Sequence, residues 1–227
     1  MNIIPAILPK NFEELEEKVA FLAGLCDVYH LDISDGRFTS SRTWPFVGDG
    51  GEYEAIQNEF RGMPRWKDID FEVHLMTENT AGLVDGWIKA GAVRIILHTE
   101  DLKGDSLHNV VEEWGKTVEF SLAVKLETPV EALADCANDV RHLHIMTIEN
   151  IGYQGQKLAK GAITKVREVR KRFPGHIITV DGGVNTGNWA ELAEAGADRL
   201  IVGSAVFGAG SPRENLEEMI KMVEGGR

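Results

Sequence analysis

Short stretches rich in isoleucine, valine and leucine recur along the chain, and the segments between them carry apolar residues at helical spacing with glycine near their ends. The pattern predicts eight strands, beginning near Ile3, Val28, Phe71, Val93, Glu119, Arg141, Ile177 and Arg199, each followed by a helical segment. Three helix-to-strand joints are alike, Ala23-Gly24, Ala90-Gly91-Ala92 and Ala195-Gly196-Ala197, and glycine suits the left-handed position that ends a helix. The strands read as apolar on both faces, which argues for a parallel sheet covered by helices. Eight such units favour closure into an α/β (β/α)8 TIM barrel formed by residues 1–227 as one domain. The rival is an open doubly wound sheet, but Ile7-Leu8-Pro9-Lys10-Asn11 follows the first strand where that fold expects a glycine fingerprint.

In such a barrel the active site lies at the C-terminal ends of the strands and in the loops after them. The widest strand spacings put long loops at 39–70 and 147–160. The first holds Trp44-Pro45-Phe46 and Gly48-Asp49-Gly50-Gly51. It reads as a surface insertion, or equally as a lid or a contact in a homo-oligomer, with Trp44 and Phe46 as exposed apolar residues.

Charge narrows the partners. The formal net charge of -12 leaves no broad basic face for a nucleic-acid backbone or an anionic membrane, so neither is expected. No apolar run approaches the roughly 20 residues of a membrane span. Residues 1–10 lack the basic region and cleavage site of a secretory leader, and Cys26 and Cys136 have no metal-type spacing, which together suggest a cytoplasmic protein with reduced thiols.

His30 and Asp32 sit two apart on the second strand and share a face. His74 lies near the end of the third strand, and Asp181 closes the seventh just before Gly182-Gly183. Convergence of the four at the barrel mouth would make a mixed nitrogen and oxygen set suited to one divalent ion, zinc, iron(II), cobalt or manganese. The same spacing also fits a hydrogen-bonded core pair and ordinary strand-end acids, so spacing alone leaves the metal open. His98 reads as a mouth or supporting residue, His142 and His144 as core histidines without a role, and His108 and His176 as surface residues. Three glycine-bearing turns, Gly152-Tyr153-Gln154-Gly155, Gly182-Gly183 and Gly203-Ser204, fall at strand ends where backbone N–H groups could hold a phosphate without a lysine cluster. Alternatively they only permit tight turns.

These residues together resemble a known family. Pro5-Ala6-Ile7-Leu8, the run from Tyr29 to Phe38 containing His30-Leu31-Asp32, Val73-His74-Leu75-Met76, Val180-Asp181-Gly182-Gly183-Val184-Asn185 and Gly203-Ser204-Ala205-Val206-Phe207-Gly208 are similar, in family order, to ribulose-phosphate 3-epimerase. The resemblance implies a phosphate-binding barrel with one divalent metal held by His30, Asp32, His74 and Asp181. It also implies Asp32 and Asp181 as the two acid/base groups, and a sugar phosphate held by Gly152, Tyr153, Gln154, Gly155, Gly182, Gly183, Gly203 and Ser204. The expected reaction interconverts D-ribulose 5-phosphate and D-xylulose 5-phosphate. Departures fall around the substrate: Pro9 in place of a usual serine, Ser34 in place of a methionine, Ile151 and Gln154 in place of a proline and a glycine, and a longer second loop. They leave open a ketohexose 6-phosphate epimerase or a non-catalytic phosphosugar-binding barrel. A lysine-dependent decarboxylase or aldolase has only Lys125 as a candidate, without the Asp-x-Lys-x-x-Asp arrangement.

Overall fold

In the computed structural model, which describes residues 1–48, 50–102 and 106–225, eight parallel strands close into a barrel in sequence order. The strands are β1 Asn2–Ile7, β2 Val28–Ser34, β3 Asp70–Met76, β4 Ala92–His98, β5 Glu119–Val124, β6 His142–Met146, β7 Ile177–Asp181 and β8 Arg199–Val202. Each begins within one residue of the position read from the sequence, and β1 pairs with β8 as well as β2 to complete the ring. The helices are α1 Phe12–Phe21, α2 Gly51–Gln57, α3 Val84–Lys89, α4 Ser106–Trp114, α5 Ala162–Arg172, α6 Trp189–Ala195, α7 Ser204–Phe207 and α8 Pro212–Gly225.

Local signals set these boundaries. Asn11 caps α1 by accepting the Glu14 N–H at 2.8 Å, while the Glu14 carboxylate reaches back to the Lys10 N–H at 2.7 Å. Both orphan donors at the helix start are thereby satisfied. At the end of α6, Gly196 takes a φ of 111°, the left-handed conformation that glycine adopts at little cost. The fifth unit departs from the expected pattern: only two short 3-10 turns, Val130–Leu133 and Ala137–Asp139, join β5 to β6.

The reading of the strands as apolar on both faces is corrected by the structure. Leu31, Ile33, Val73, Leu75, Leu143, Ile145 and Val180 belong to one large apolar cluster with Leu15, Val19, Val166 and Leu192 of the helices. The alternate positions His30, Asp32, Glu72, His74, His142, His144 and Asp181 are buried too, but they are polar. These strands therefore alternate with a period of two, apolar toward the helices and hydrogen-bonding toward the barrel interior.

The loop after β2 also differs from expectation. Trp44 is buried, its ring 5.3 Å from Phe12 and 6.1 Å from Trp87, and Phe46 packs partly buried against the same cluster. Trp44 is thus a core residue and offers no exposed apolar face to another copy. The loop turns back immediately after β2, where the Thr43 N–H donates to the Ser34 carbonyl at 3.0 Å and the Trp44 N–H to the Pro9 carbonyl at 2.8 Å. Asp49, singled out in the glycine run, lies outside the described residues.

Candidate active site at the barrel mouth

The parallel register places Asp32 opposite His74 and Met146 opposite Asp181. Four side chains named from the sequence, His30, Asp32, His74 and Asp181, meet inside the C-terminal end of the barrel. The Nδ1 atom of His74 lies 2.9 Å from Asp32 Oδ1 and 3.6 Å from Asp181 Oδ2. The Nε2 atom of His30 lies 3.3 Å from Asp32 Oδ1 and 3.6 Å from Asp181 Oδ2. Both imidazoles are fully buried, whereas the two carboxylates line a cleft open to the barrel mouth.

Proton accounting fixes which ring nitrogens face the two carboxylates. Glu72 Oε1 accepts from His30 Nδ1 at 2.8 Å, so the lone pair of the neutral His30 ring is on Nε2, a buried atom without a hydrogen-bond partner. Glu100 Oε2 accepts from His98 Nδ1 at 2.9 Å, leaving His98 Nε2 to accept from His74 Nε2, also at 2.9 Å. That places the His74 lone pair on Nδ1. Two imidazole lone pairs and two carboxylates then face one another at 2.9–3.6 Å. Such an arrangement is relieved by a proton or a metal ion between them. A proton on His30 is one solution: burial opposes it, but Asp32, Glu72 and Asp181 outweigh burial and push that imidazole up to about 10. A divalent ion is the other, and the donor chemistry fits one.

The two carboxylates are driven apart in proton affinity. Burial would raise both, but His30 and His74 hold Asp32 well below the ordinary carboxylate range. At Asp181, burial and the neighbouring Asp32 charge prevail and push the carboxyl up to about 6.

The sequence reading missed three contributors. His144, read there as a core residue without a role, lies 3.0 Å from Asp181 Oδ2 through Nε2. One ligand atom from each of His30, His74, His144 and Asp181 falls within 4.8 Å of every other, a group that could hold a metal ion. Asp32 is outside that group although it touches both His30 and His74. The signal available was His142-Leu143-His144, which repeats the two-residue spacing of His30-Leu31-Asp32. Glu72 and Glu100, which orient His30 and His74, sit in strand and loop runs that carry no separate mark. His98 stands behind His74, as a supporting residue should. His108 is exposed, and His176 is half-buried with Nε2 2.9 Å from the Ala137 carbonyl oxygen.

All three glycine-bearing turns, at 152–155, 182–183 and 203–204, line the same cleft as Asp32 and Asp181. Close approach explains one of the glycines. A Cβ on Gly183, where φ is 72°, would lie 2.4 Å from the Leu158 backbone nitrogen. Gln154 donates to the Ala6 carbonyl at 3.0 Å, and the Tyr153 hydroxyl lies 2.9 Å from Ser40 Oγ. The sixth loop is thereby tied to β1 and to the start of the second loop. Lys125 is not part of this cleft; its Nζ sits 4.0 Å from the centre of the Phe38 ring.

A closed eight-stranded barrel with a histidine and carboxylate centre beneath a glycine-lined cleft defines the class: a (β/α)8 barrel with a metal-capable site at its mouth. The model of the ribulose-phosphate 3 epimerase family matches residues 2–207, and the chain belongs to that family. It is 31% identical over 228 residues to the cytoplasmic isoform of ribulose-phosphate 3-epimerase of Oryza sativa subsp. japonica, covering 99% of this chain and 95% of the relative. It is 28% identical to ribulose-phosphate 3-epimerase of Bacillus subtilis, covering 96% and 98%. Among solved structures, 3-hexulose-6-phosphate synthase from Salmonella typhimurium superposes with a TM-score of 0.73 at 15% identity over 100% of both chains, a likeness of fold.

Proposed function

We propose that the protein is a metal-dependent 3-epimerase that interconverts D-ribulose 5-phosphate and D-xylulose 5-phosphate. The observation that carries this reading is the pair of carboxylates, Asp32 and Asp181, that line one cleft together with the three glycine-bearing turns, in a chain that matches the family over residues 2–207. Two carboxyl groups at one cleft are what an acid and a base on opposite faces of one carbon require.

Epimerisation breaks the C3–H bond next to the ketone and remakes it on the other face. One aspartate takes the proton, the electron pair passes into the ketone to give an enediolate, and the other aspartate returns a proton from the opposite side. The roles exchange in the reverse direction. A divalent ion held by His30, Asp32, His74 and Asp181 would supply the positive charge that stabilises the enediolate. Zinc, iron(II), cobalt and manganese suit that donor set. Glu72 and the His98–Glu100 pair aim the two imidazoles.

The phosphate is assigned to Gly152, Tyr153, Gln154, Gly155, Gly182, Gly183, Gly203 and Ser204. Backbone N–H groups there can hold an anion in a protein of net charge -12 without a lysine cluster. The proposed setting is the cytoplasm; the rice relative named a cytoplasmic isoform supports it. The test is turnover of D-ribulose 5-phosphate by protein loaded with each ion and by chelator-stripped protein. Metal-dependent formation of xylulose 5-phosphate is expected. Turnover confined to a ketohexose 6-phosphate would replace the substrate, and turnover unaffected by metal removal would overturn the mechanism.

A further inference from the structure

His144 has no part in the scheme above, yet its position is that of a participant. It is 1% exposed, its Nε2 lies 3.0 Å from Asp181 Oδ2, and its Nδ1 is buried without a hydrogen-bond partner. The ring stacks on His30 at 5.4 Å with 13° between planes and lies 4.8 Å from the His74 ring.

We infer that His144 is a third nitrogen donor to the ion in this centre and biases it toward zinc, cobalt or iron(II) over manganese or magnesium. The inference rests on the reading of the mouth as a metal centre. Its geometric basis is the group of four ligand atoms, from His30, His74, His144 and Asp181, mutually within 4.8 Å. Four donors about 2.1 Å from one ion in a tetrahedral set stand about 3.4 Å apart, so the widest pair would draw in by about 1.4 Å on binding. Its chemical basis is donor softness: imidazole suits zinc, iron and cobalt, while carboxylate and water suit manganese and magnesium. His30 and His74 each have an acceptor behind the second ring nitrogen, in Glu72 and His98, and His144 has none. His144 is therefore the least firmly oriented of the three.

Two measurements test this. In zinc-loaded wild type, nitrogen-15 NMR of the histidine rings is expected to show three metal-bound ring nitrogens. Two, with the His144 ring unshifted by zinc, would overturn the inference while leaving the two-histidine centre intact; none would overturn the metal reading itself. Chelator competition then compares wild type with His144→Leu, after thermal melting establishes that the variant folds. Affinity for cobalt(II) and zinc(II) is expected to fall by at least about tenfold, and that for manganese(II) by less than about threefold. An equal loss for all three ions, or no loss for any, contradicts the assignment.

Discussion

Five histidines are buried in this barrel, and Glu72 directly, with Glu100 through His98, decides which nitrogens of His30 and His74 turn toward Asp32 and Asp181. Glu72 is the most consequential of these acids. It joins His30 to Arg94 at 2.6 Å and to Arg199, and although burial opposes its charge, His30, Arg199 and Arg94 hold it well below the ordinary carboxylate range. Glu72→Leu leaves two partly buried guanidinium groups short of a partner, and a loss of about 3–5 kcal/mol is expected in denaturant unfolding. Glu100 makes a pH-dependent contribution. Burial opposes its charge too, but His98, Thr128 and the Lys125 N–H outweigh it and hold the carboxyl down at about 2. A carboxyl depressed on folding stabilises fully above its unfolded value, and the stabilisation fades as pH falls toward 2. Glu100→Gln should therefore flatten the acid limb of the melting curve, with less difference between melts at about pH 5 and pH 2 than in wild type. His30 and Asp32 were legible as a pair because two-residue spacing puts them on one face of β2, and His74 and Asp181 by their places late in β3 and at the end of β7, while only the family resemblance joined the four. His144 was not, since a histidine between Leu143 and Ile145 reads equally as core until the register brings β6 beside β7.

Among the elements, strands were more legible than loops. Runs of branched aliphatic residues marked all eight strands, but their polar interior positions were misread because the pattern does not say which face meets the helices. The second loop was misread for a related reason. Trp44 opens a short apolar run, Trp44-Pro45-Phe46-Val47, set in a polar and glycine-bearing loop, and only the return of the chain across Pro9 carries it into the core. Trp44→Ala should cost about 3–5 kcal/mol of stability, measured by chemical denaturation. On the proposed function the sixth loop contacts the substrate. Tyr153→Phe removes the hydroxyl that meets Ser40 and so one tie between the sixth and second loops. A KM for D-ribulose 5-phosphate raised by no more than about tenfold, with kcat nearly unchanged, is expected for one lost hydrogen bond.

For the whole molecule, the barrel gathers in its interior charge that the core between strands and helices excludes. Its helix-facing core is apolar, and its interior holds histidines, acids and arginines in a connected network. An ion bound at the mouth binds the folded chain alone and so stabilises it, by about 2.7 kcal/mol when present at a hundred times its dissociation constant. Stripping with a chelator should lower the melting temperature by roughly 5–10 °C for a chain of this size. No helix of the described residues is long and apolar enough to cross a membrane. The central claim is that Asp32 and Asp181 move the C3 proton from opposite faces, and proton NMR of D-ribulose 5-phosphate in D2O reads it directly. With metal-loaded protein, deuterium should enter C3 as xylulose 5-phosphate forms, and both should disappear in Asp32→Asn and Asp181→Asn. Product formed with the original proton retained at C3, or exchange that persists in both variants, would contradict the account.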